Sequence, residues 1–343
     1  MGPFILDLHS FELDAEEREL LAHPAVGGVI FFSRNYHDKA QLRALVKSIR
    51  AIKPELLLTV DHEGGRVQRF RNEFFPLPAP GRLAEYGGPD KLSLLQDAGW
   101  LMAAELLALD IDLSFAPVLD LERGSEVIGD RSFGQDPEQV ITHTRAYIQG
   151  LHSAGMAAVA KHFPGHGSVR ADSHKESPVD ERDFDTIAQL DMAPFKHLIG
   201  EGLVQGIMPA HVIYAAVDAN PAGFSEFWLK QVLRQQLGFK GLIFSDDLTM
   251  EGAAVVGGYA ERAASALHAG CDLLLACNHR SGAIEIIDAL PHNLNCDFSA
   301  LRAHGVGGHL AQDMTKRVTL GSQLIQSAVW RETCARMHSF LER

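Results

Sequence analysis

Eight short apolar runs of strand length recur along the chain, and stretches with helical periodicity separate most of them. Because these runs are apolar on both faces, they are typical of parallel strands covered by helices. Eight strand–helix units are enough to close a barrel. The pattern therefore predicts an α/β fold, a (β/α)8 barrel of the TIM type. The runs are PFILDL (3–8), GGVIFF (27–32), LLLTVD (56–61), LSFAPVLDL (113–121), MAAVAKHF (156–163), VQGIMPAH (204–211), GLIFSDD (241–247) and CDLLLA (271–276).

A single domain over residues 1–343 is predicted, because no Pro/Ser/Gly-rich linker divides the chain. Residues 278–343 are expected to add a C-terminal helical extension that packs on the barrel. The competing fold is an open doubly wound sheet, in which the glycine clusters at 200–206 and 304–309 would bind a nucleotide. Neither cluster follows a strand and opens a helix with the spacing of a dinucleotide site, which favours the barrel.

The charge and composition of the chain argue against nucleic-acid and membrane partners. With 31 basic and 44 acidic residues and no long basic run, the surface is not expected to attract nucleic acid or anionic lipid. No apolar segment has the length of a membrane span, and the first residues lack the basic region of a signal peptide. We therefore expect a cytoplasmic protein, and a monomer is compatible with this composition. No disulfide or thiolate zinc site is predicted for the four cysteines, Cys271, Cys277, Cys296 and Cys334.

Charged or imidazole side chains follow five of the eight runs. Active sites of β/α barrels lie where the strands enter their following loops, so these side chains are expected to share one mouth of the barrel. Each alone has a structural interpretation: Asp61 as a helix cap, Arg131 in a surface ion pair, His211 as a core histidine. Together they predict a pocket for a small molecule covered with hydroxyl groups. The stretches are DHEGGRVQR (61–69), GDRSFG (129–134), KHFPGHGSVRADSH (161–174), MPAH (208–211) and SDD (245–247).

His162 and His166 are four residues apart, the spacing with which two imidazoles on a helix bind zinc. Pro164 lies between them and disfavours a helix, and no HExxH glutamate is present. We therefore predict no metal and no cofactor. A non-helical metal site with Asp61 or Asp246 stays open as an alternative, as does a structural role for His166 in bracing its loop.

The triplet DSH places Asp172 and His174 two residues apart, so the carboxylate can accept a hydrogen bond from the imidazole. Such a bond fixes the tautomer and raises the basicity of the ring, which suits proton transfer. No GxSxG elbow supplies an activated serine, which leaves carboxylates as candidate nucleophiles. Asp246 and Asp247 are neighbours on a strand, so only one side chain is expected to face the pocket. A carboxylate with a proton donor is the minimum apparatus of a retaining glycosidase.

In combination, these motifs resemble glycoside hydrolase family 3, and within it the single-domain bacterial β-N-acetylhexosaminidases of peptidoglycan recycling. The matching stretches run from residue 61 to residue 250 and are DHEGGRVQR, APVLDL, GDRSFG, KHFPGHG with DSH, MPAH and FSDDLTM. The resemblance implies a β/α barrel. It implies that Asp246 is the nucleophile that forms a covalent glycosyl intermediate, and that His174 is the general acid/base, oriented by Asp172.

The same resemblance implies the substrate. The enzyme would be a retaining exo-β-N-acetylglucosaminidase that removes terminal N-acetylglucosamine from an anhydromuramic acid, with or without peptide. This small sugar substrate is the only partner predicted. The positions that match those holding the N-acetylglucosamine unit are Asp61, Arg69, Arg131, Lys161 and His162, and His211 is added as a candidate from the sixth strand end.

One position departs from the resemblance. Many relatives have an acidic residue after KHFPGHG, where this chain has Ser168, followed by Val169 and Arg170. The dyad of Asp172 and His174 is kept, but the outward contacts of its loop are expected to differ. Three alternative functions remain: a glucosidase or xylosidase of the same family, a metal-dependent barrel hydrolase, and a non-catalytic sugar-binding barrel.

Overall fold

Eight parallel strands form the centre of the protein, and each overlaps one of the eight apolar runs. The computed structural model describes residues 1–169, 178–298, 301, 323 and 325–342. The barrel strands are β1 (Phe4–Asp7), β2 (Val26–Phe31), β3 (Leu57–Val60), β4 (Leu113–Ser114), β5 (Val159–Phe163), β6 (Gly206–Pro209), β7 (Leu242–Asp247) and β8 (Leu273–Ala276).

The strands are neighbours in the order β4, β3, β2, β1, β8, β7, β6, β5, and every pairing is parallel. The residues just after β4 complete the circle by pairing with β5. Val118 pairs with Lys161, and the N–H of Leu119 donates to the Lys161 carbonyl over 2.7 Å. This circle of consecutive strands confirms the predicted (β/α)8 barrel and rules out the open doubly wound sheet.

Most helices lie between barrel strands. Asp136 caps the helix Pro137–Ala154 by accepting a 3.0 Å hydrogen bond from the N–H of Gln139, and Gly155 ends it with a φ of 91°, a conformation that favours glycine. No helix among the described residues is long and apolar enough to cross a membrane. The α-helices are Ala15–Ala22, Lys39–Ile52, Pro80–Glu85, Lys91–Leu107, Pro137–Ala154, Phe184–Gln189, Ala193–Gly200, Tyr259–Ala269, Arg280–Ala289 and Ala328–Leu341; Phe227–Gln236 has wider π-type turns, and 3-10 turns occur at Ser33–Asn35, Gly129–Arg131, Ala222–Phe224 and Glu251–Val256.

Apolar side chains pack the barrel. Phe4, Phe115 and Phe244 are fully buried, and the rings of Phe115 and Phe244 meet edge to face with their centroids 5.3 Å apart. The strands are buried on both faces by this core and by the surrounding helices. This double burial explains why the runs are continuously apolar and do not alternate.

Two described helices follow β8. Arg280–Ala289 comes directly after it, and Ala328–Leu341 packs against Lys91–Leu107. Arg336 of the last helix binds Asp97 through two hydrogen bonds of 2.8 Å. Much of the predicted extension, 278–343, lies outside the described residues, so the extension and the single-domain division of the chain remain predictions.

Two short ribbons lie at the carboxyl ends of the barrel strands. After β3, His62–Gly64 pairs antiparallel with Val67–Gln68. After β6, Ile213–Tyr214 pairs parallel with Val179–Asp180. These ribbons fold the polar stretches of the sequence back toward the mouth of the barrel.

Arg50 lies at the opposite, amino-terminal end of the barrel, where it binds Asp110 at 2.8 Å and Asp112 at 3.0 Å with all three side chains buried. Arg50→Ala leaves two buried carboxylates without their cation, so we expect the free energy of unfolding to fall by about 3–5 kcal/mol. Arg145→Ala breaks only a partly exposed pair with Glu201 and should cost about 0–1 kcal/mol. Urea unfolding measures both values, and equal losses would contradict a stabilising role for Arg50.

Candidate active site

A cavity of about 440 Å³ opens at the carboxyl ends of the barrel strands. Side chains from the strands and from the loops after them form its wall. Asp172 and His174 lie outside the described residues, and His211 lies behind the wall. The other six predicted site residues line the cavity: Asp61, Arg69, Arg131, Lys161, His162 and Asp246.

Lys161 is the centre of an ion cluster in the cavity wall. Its ammonium group lies 2.7 Å from both Asp61 and Glu63, and Arg131 binds Glu63 through two hydrogen bonds of 2.8 Å. We call these four residues the ion cluster. Glu63 is not among the residues predicted from the sequence. Its spacing of two residues from Asp61 is the signal that could have found it, because residues two apart in an extended segment point to the same side.

The ion cluster keeps its charges at neutral pH. Burial alone would raise the pKa of Glu63, but the charges of Arg131 and Lys161, and the hydrogen bonds that they donate, hold it well below its usual value. Burial would lower the pKa of Lys161, but the charges of Asp61 and Glu63 raise it above its usual value. The cavity therefore presents fixed charges that can bind hydroxyl groups without changing protonation.

Arg69 enters the cavity wall just after the ribbon that follows β3. Its guanidinium lies 3.6 Å from Asp61 and over the ring of Phe32, 5.5 Å from the centroid. Within the described part of the chain, the buried Nε of Arg69 has no hydrogen-bond partner. Since a buried donor without a partner is costly, this geometry favours a ligand that accepts a hydrogen bond from Arg69.

Asp120 holds His162 in place. Its carboxylate lies 2.7 Å from Nδ1 of His162, and it accepts the backbone N–H groups of His162 at 3.2 Å and of His166 at 2.7 Å. Asp120 stands in the APVLDL stretch, 42 positions before His162. Asp120 is not among the residues predicted from the sequence, because only the closure of the barrel brings it beside His162.

Asp246 and Asp247 have different surroundings at the end of β7. Asp246 lines the cavity, and its Oδ1 accepts the N–H of Asp247 at 2.8 Å. Oδ1 of Asp247 accepts three hydrogen bonds, from the N–H and hydroxyl of Thr249 and from the N–H of Cys277. Both residues contribute to the cavity wall, and the carboxylate of Asp247 is tied to the neighbouring loops by these three bonds.

His211 is buried beside β7. Its Nε2 lies 3.0 Å from the carbonyl oxygen of Asp247, and its ring stacks on Phe224 with the centroids 5.4 Å apart. Burial lowers the pKa of His211, so the ring is neutral at neutral pH and its Nε2–H donates to the carbonyl. The contact is with the strand that carries Asp246, and direct sugar binding by His211 remains a prediction.

Ser168 binds the buried carboxylate of Asp191. The hydroxyl donates to Oδ1 of Asp191 at 3.2 Å, and Arg182 donates to Oδ2 at 2.7 Å. These contacts fix the last described residues before 170–177, the stretch with Asp172 and His174 that lies outside the described residues.

The two histidines with metal-like spacing do not share a helix. His162 is on β5 and His166 is in the turn after it, with ring centroids 5.9 Å apart. Over the described ranges, one group brings three ligand atoms within 4.8 Å of one another: His9, Asp14 and Glu17. Arg280 already binds Glu17 at 3.0 Å, and the group lies outside the cavity wall.

Comparison with known proteins identifies the family. Residues 5–303 match the model of the glycosyl hydrolase family 3 N-terminal domain. The chain belongs to glycoside hydrolase family 3. It is 58% identical to a β-hexosaminidase of Tolumonas auensis, over all of this chain and 99% of that protein, and 53% identical to one of Photobacterium profundum, over 97% and 95%.

A solved structure has the same fold as this chain. The crystal structure of NagZ from Neisseria gonorrhoeae in complex with N-trifluoroacetyl-D-glucosamine is 41% identical, with a TM-score of 0.89 over 99% of this chain and 98% of that one. The predicted resemblance to family 3, the barrel fold and the assignment as a glycoside hydrolase with β-hexosaminidase relatives are therefore confirmed.

The titration of Asp247 predicts a pH-dependent difference in stability. Burial raises the pKa of Asp247 from 3.8 to about 6, so between these values the folded protein keeps a proton that the unfolded chain has lost. Protonation of Asp247 therefore stabilises the folded protein below pH 3.8, and this stabilisation is lost as pH rises toward about 6. Asp247→Asn removes the titration, while its side-chain oxygen can still accept the bonds from Thr249 and Cys277. Relative to wild type, the variant should gain roughly 2–3 kcal/mol of unfolding free energy across this window.

Urea unfolding of wild type and Asp247→Asn from about pH 4 to about pH 7 measures the difference. Taking the difference cancels other groups that titrate equally in both proteins. A difference that does not change with pH would show that Asp247 titrates as an ordinary aspartate.

Proposed function

We propose that this protein is a retaining exo-β-N-acetylglucosaminidase of peptidoglycan recycling. It removes terminal N-acetylglucosamine from anhydromuramic acid, with or without peptide, through a covalent glycosyl-aspartate. The observation that carries this proposal is the convergence of Asp246 and the ion cluster in one cavity. A carboxylate beside fixed groups that hold hydroxyls is the arrangement that glycoside hydrolysis needs. The related structure that binds N-trifluoroacetyl-D-glucosamine supports an amino sugar as the ligand.

Asp246 is assigned as the nucleophile. One carboxylate oxygen attacks the anomeric carbon, the glycosidic oxygen leaves, and a glycosyl ester forms. Water then displaces the aspartate from the same carbon. The two inversions give net retention, so the β anomer is released first. The three hydrogen bonds accepted by Oδ1 of Asp247 support the choice of Asp246 over its neighbour.

His174 is assigned as the general acid/base, with Asp172 orienting its ring. A proton from the imidazole goes to the departing glycosidic oxygen, and the neutral ring then takes a proton from the attacking water. An imidazole avoids placing a second carboxylate beside the glycosyl ester. It also repels an anionic leaving group less than a carboxylate would.

Different residues of the cavity wall are assigned to the sugar and to the leaving group. The ion cluster, His162 and the Nε of Arg69, which has no hydrogen-bond partner among the described residues, offer charges and hydrogen-bond donors and acceptors to the hydroxyl groups of the sugar. Arg66 also lines the cavity, and its side chain is 51% exposed; it donates to the carbonyl oxygen of Val127 and lies 3.6 Å from Asp130. An exposed cation at the mouth supports a leaving group that carries a carboxylate or an acidic peptide.

Aryl glycosides separate this function from its alternatives. We expect the N-acetylglucosaminide to be hydrolysed at least about 100-fold more efficiently than the glucoside or xyloside, because a site that bonds the acetamide loses that bond with either analogue. Chelators should not change the rate, and Asp246→Asn should abolish turnover. Faster cleavage of the glucoside would favour another family 3 glycosidase. Activity lost to a chelator and restored by zinc would favour a metal hydrolase, and a complete lack of wild-type turnover would favour a sugar-binding barrel.

His174→Ala should discriminate between leaving groups. Protonation matters most for a sugar alkoxide, a poor leaving group, and little for an acidic phenol that departs as an anion. We expect glycosylation to slow by about 10²–10⁴-fold with a disaccharide and much less with an activated aryl glycoside. Asp172→Ala should show a weaker form of the same pattern, because the ring stays but loses its orienting partner.

Pre-steady-state glycosylation rates across leaving groups of graded acidity make this measurement, since steady-state rates mix in the slower hydrolysis of the ester. His268→Ala is the control, because this exposed histidine pairs with Glu226 on the outside of the protein. If His174→Ala slowed every substrate equally, the proton donor would lie elsewhere.

A further inference from the structure

Asp120 is a buried carboxylate that contacts His162 of the active site from the side away from the cavity. Its side chain is fully buried, and it is not part of the cavity wall. Burial alone would raise the pKa of Asp120, but His162 and the hydrogen bonds donated to the carboxylate lower it below its usual value. A charged, fully buried carboxylate is costly unless its partners are well placed, so its position is tightly determined.

The two oxygens of Asp120 have separate tasks. Oδ1 accepts the N–H of His166 at 2.7 Å, which fixes the turn after β5. Oδ2 accepts from Nδ1 of His162 at 2.7 Å, and the N–H of His162 lies within 3.3 Å of both oxygens. A carboxylate cannot donate, so Nδ1 of His162 must carry the proton in this contact. The other nitrogen, Nε2, is then the one left for a ligand.

We propose that Asp120 is a positioning residue of the glycosidase reaction, which holds His162 in the Nδ1–H form so that Nε2 accepts a hydrogen bond from a sugar hydroxyl. The inference rests on the proposed role of His162 in holding the sugar. It adds to that role a fixed orientation and a defined direction of the hydrogen bond. Outer carboxylate partners of functional histidines act in this way when they set tautomer and ring orientation.

Asp120→Asn separates the two tasks. The amide oxygen can take the place of Oδ1 and keep the bond from His166, while the amide NH2 then faces Nδ1 of His162 and forces it to become an acceptor. The proton moves to Nε2, which turns the ligand-facing nitrogen from acceptor to donor. We expect kcat/KM on an aryl N-acetylglucosaminide to fall by about 10- to 100-fold, the range for removal of such a partner.

Asp112→Asn is the matched control. Asp112 is also fully buried, and it accepts the N–H of Leu58 at 2.8 Å and binds Arg50 at 3.0 Å, but at the far end of the barrel. This variant should lose stability without changing kcat/KM or the ring nitrogen of His162 that carries the proton. A loss of kcat/KM in Asp112→Asn as large as that in Asp120→Asn would overturn the inference, because burial alone would explain both.

A double-mutant cycle with His162→Ala tests whether the loss of kcat/KM in Asp120→Asn is caused by its effect on His162. If Asp120 acts through His162, Asp120→Asn should cost less than about threefold in the His162→Ala background. The same fold loss in both backgrounds, or no loss with Asp120→Asn alone, would overturn the inference but leave the proposed function in place. If His162→Ala alone left kcat/KM unchanged, the sugar-holding role of His162 would fail as well.

The position of the proton on His162 can also be measured in the wild-type protein, without substrate. Long-range 1H–15N spectra of 15N-histidine-labelled protein report which ring nitrogen carries the proton, with His162 assigned from its missing signal in His162→Gln. We expect the proton on Nδ1, and none on Nε2, in mildly alkaline buffer. A bare Nδ1 with the proton on Nε2 would overturn the inference.

Discussion

Lys161 joins the closure of the barrel to the charge of its cavity. Its backbone carbonyl accepts a 2.7 Å hydrogen bond from Leu119 where β5 meets the residues after β4. Its buried ammonium lies between Asp61 and Glu63, and Asp61 is 100 positions away in the sequence. A buried ammonium is tolerated only when it is paired, and only the closed barrel brings β5 beside the ribbon that follows β3. The fold and the charged site therefore require each other.

Two buried carboxylates, Glu63 in the cavity wall and Asp120 behind it, hold the binding groups of the site in place. Glu63 binds both Lys161 and Arg131, and Asp120 binds His162. Because these partners are already in place, the binding groups need little rearrangement when a sugar enters or when charge develops during the reaction. In the proposed mechanism, Asp246 and the dyad of Asp172 and His174 carry out the chemical steps.

The sequence predicted the barrel because strands buried on both faces leave continuous apolar runs, and it predicted the cavity because polar residues follow those runs. The sequence was a poorer guide to the length of the strand within the run 113–121, because β4 ends at Ser114 and Pro117 has no N–H to donate. Glu63 was overlooked although its spacing from Asp61 offered a local signal, and Asp120 was overlooked because its partner His162 lies on another strand, 42 positions later. His211 was placed in the sugar set, but its observed contact is the backbone of β7. Tertiary contacts of this kind leave no local pattern in a sequence.

Trapping of the covalent glycosyl intermediate identifies the nucleophile directly. An activated, slowly hydrolysed 5-fluoro analogue of the N-acetylglucosaminide is mixed with the enzyme, the reaction is quenched in acid, and the digested peptides are analysed by mass spectrometry. If Asp246 is the nucleophile, one sugar is attached to Asp246 in the peptide of β7, and Asp246→Asn gives no adduct. A sugar attached to Asp247 or to another residue, or full turnover with no adduct and initial release of the α anomer, would contradict this assignment.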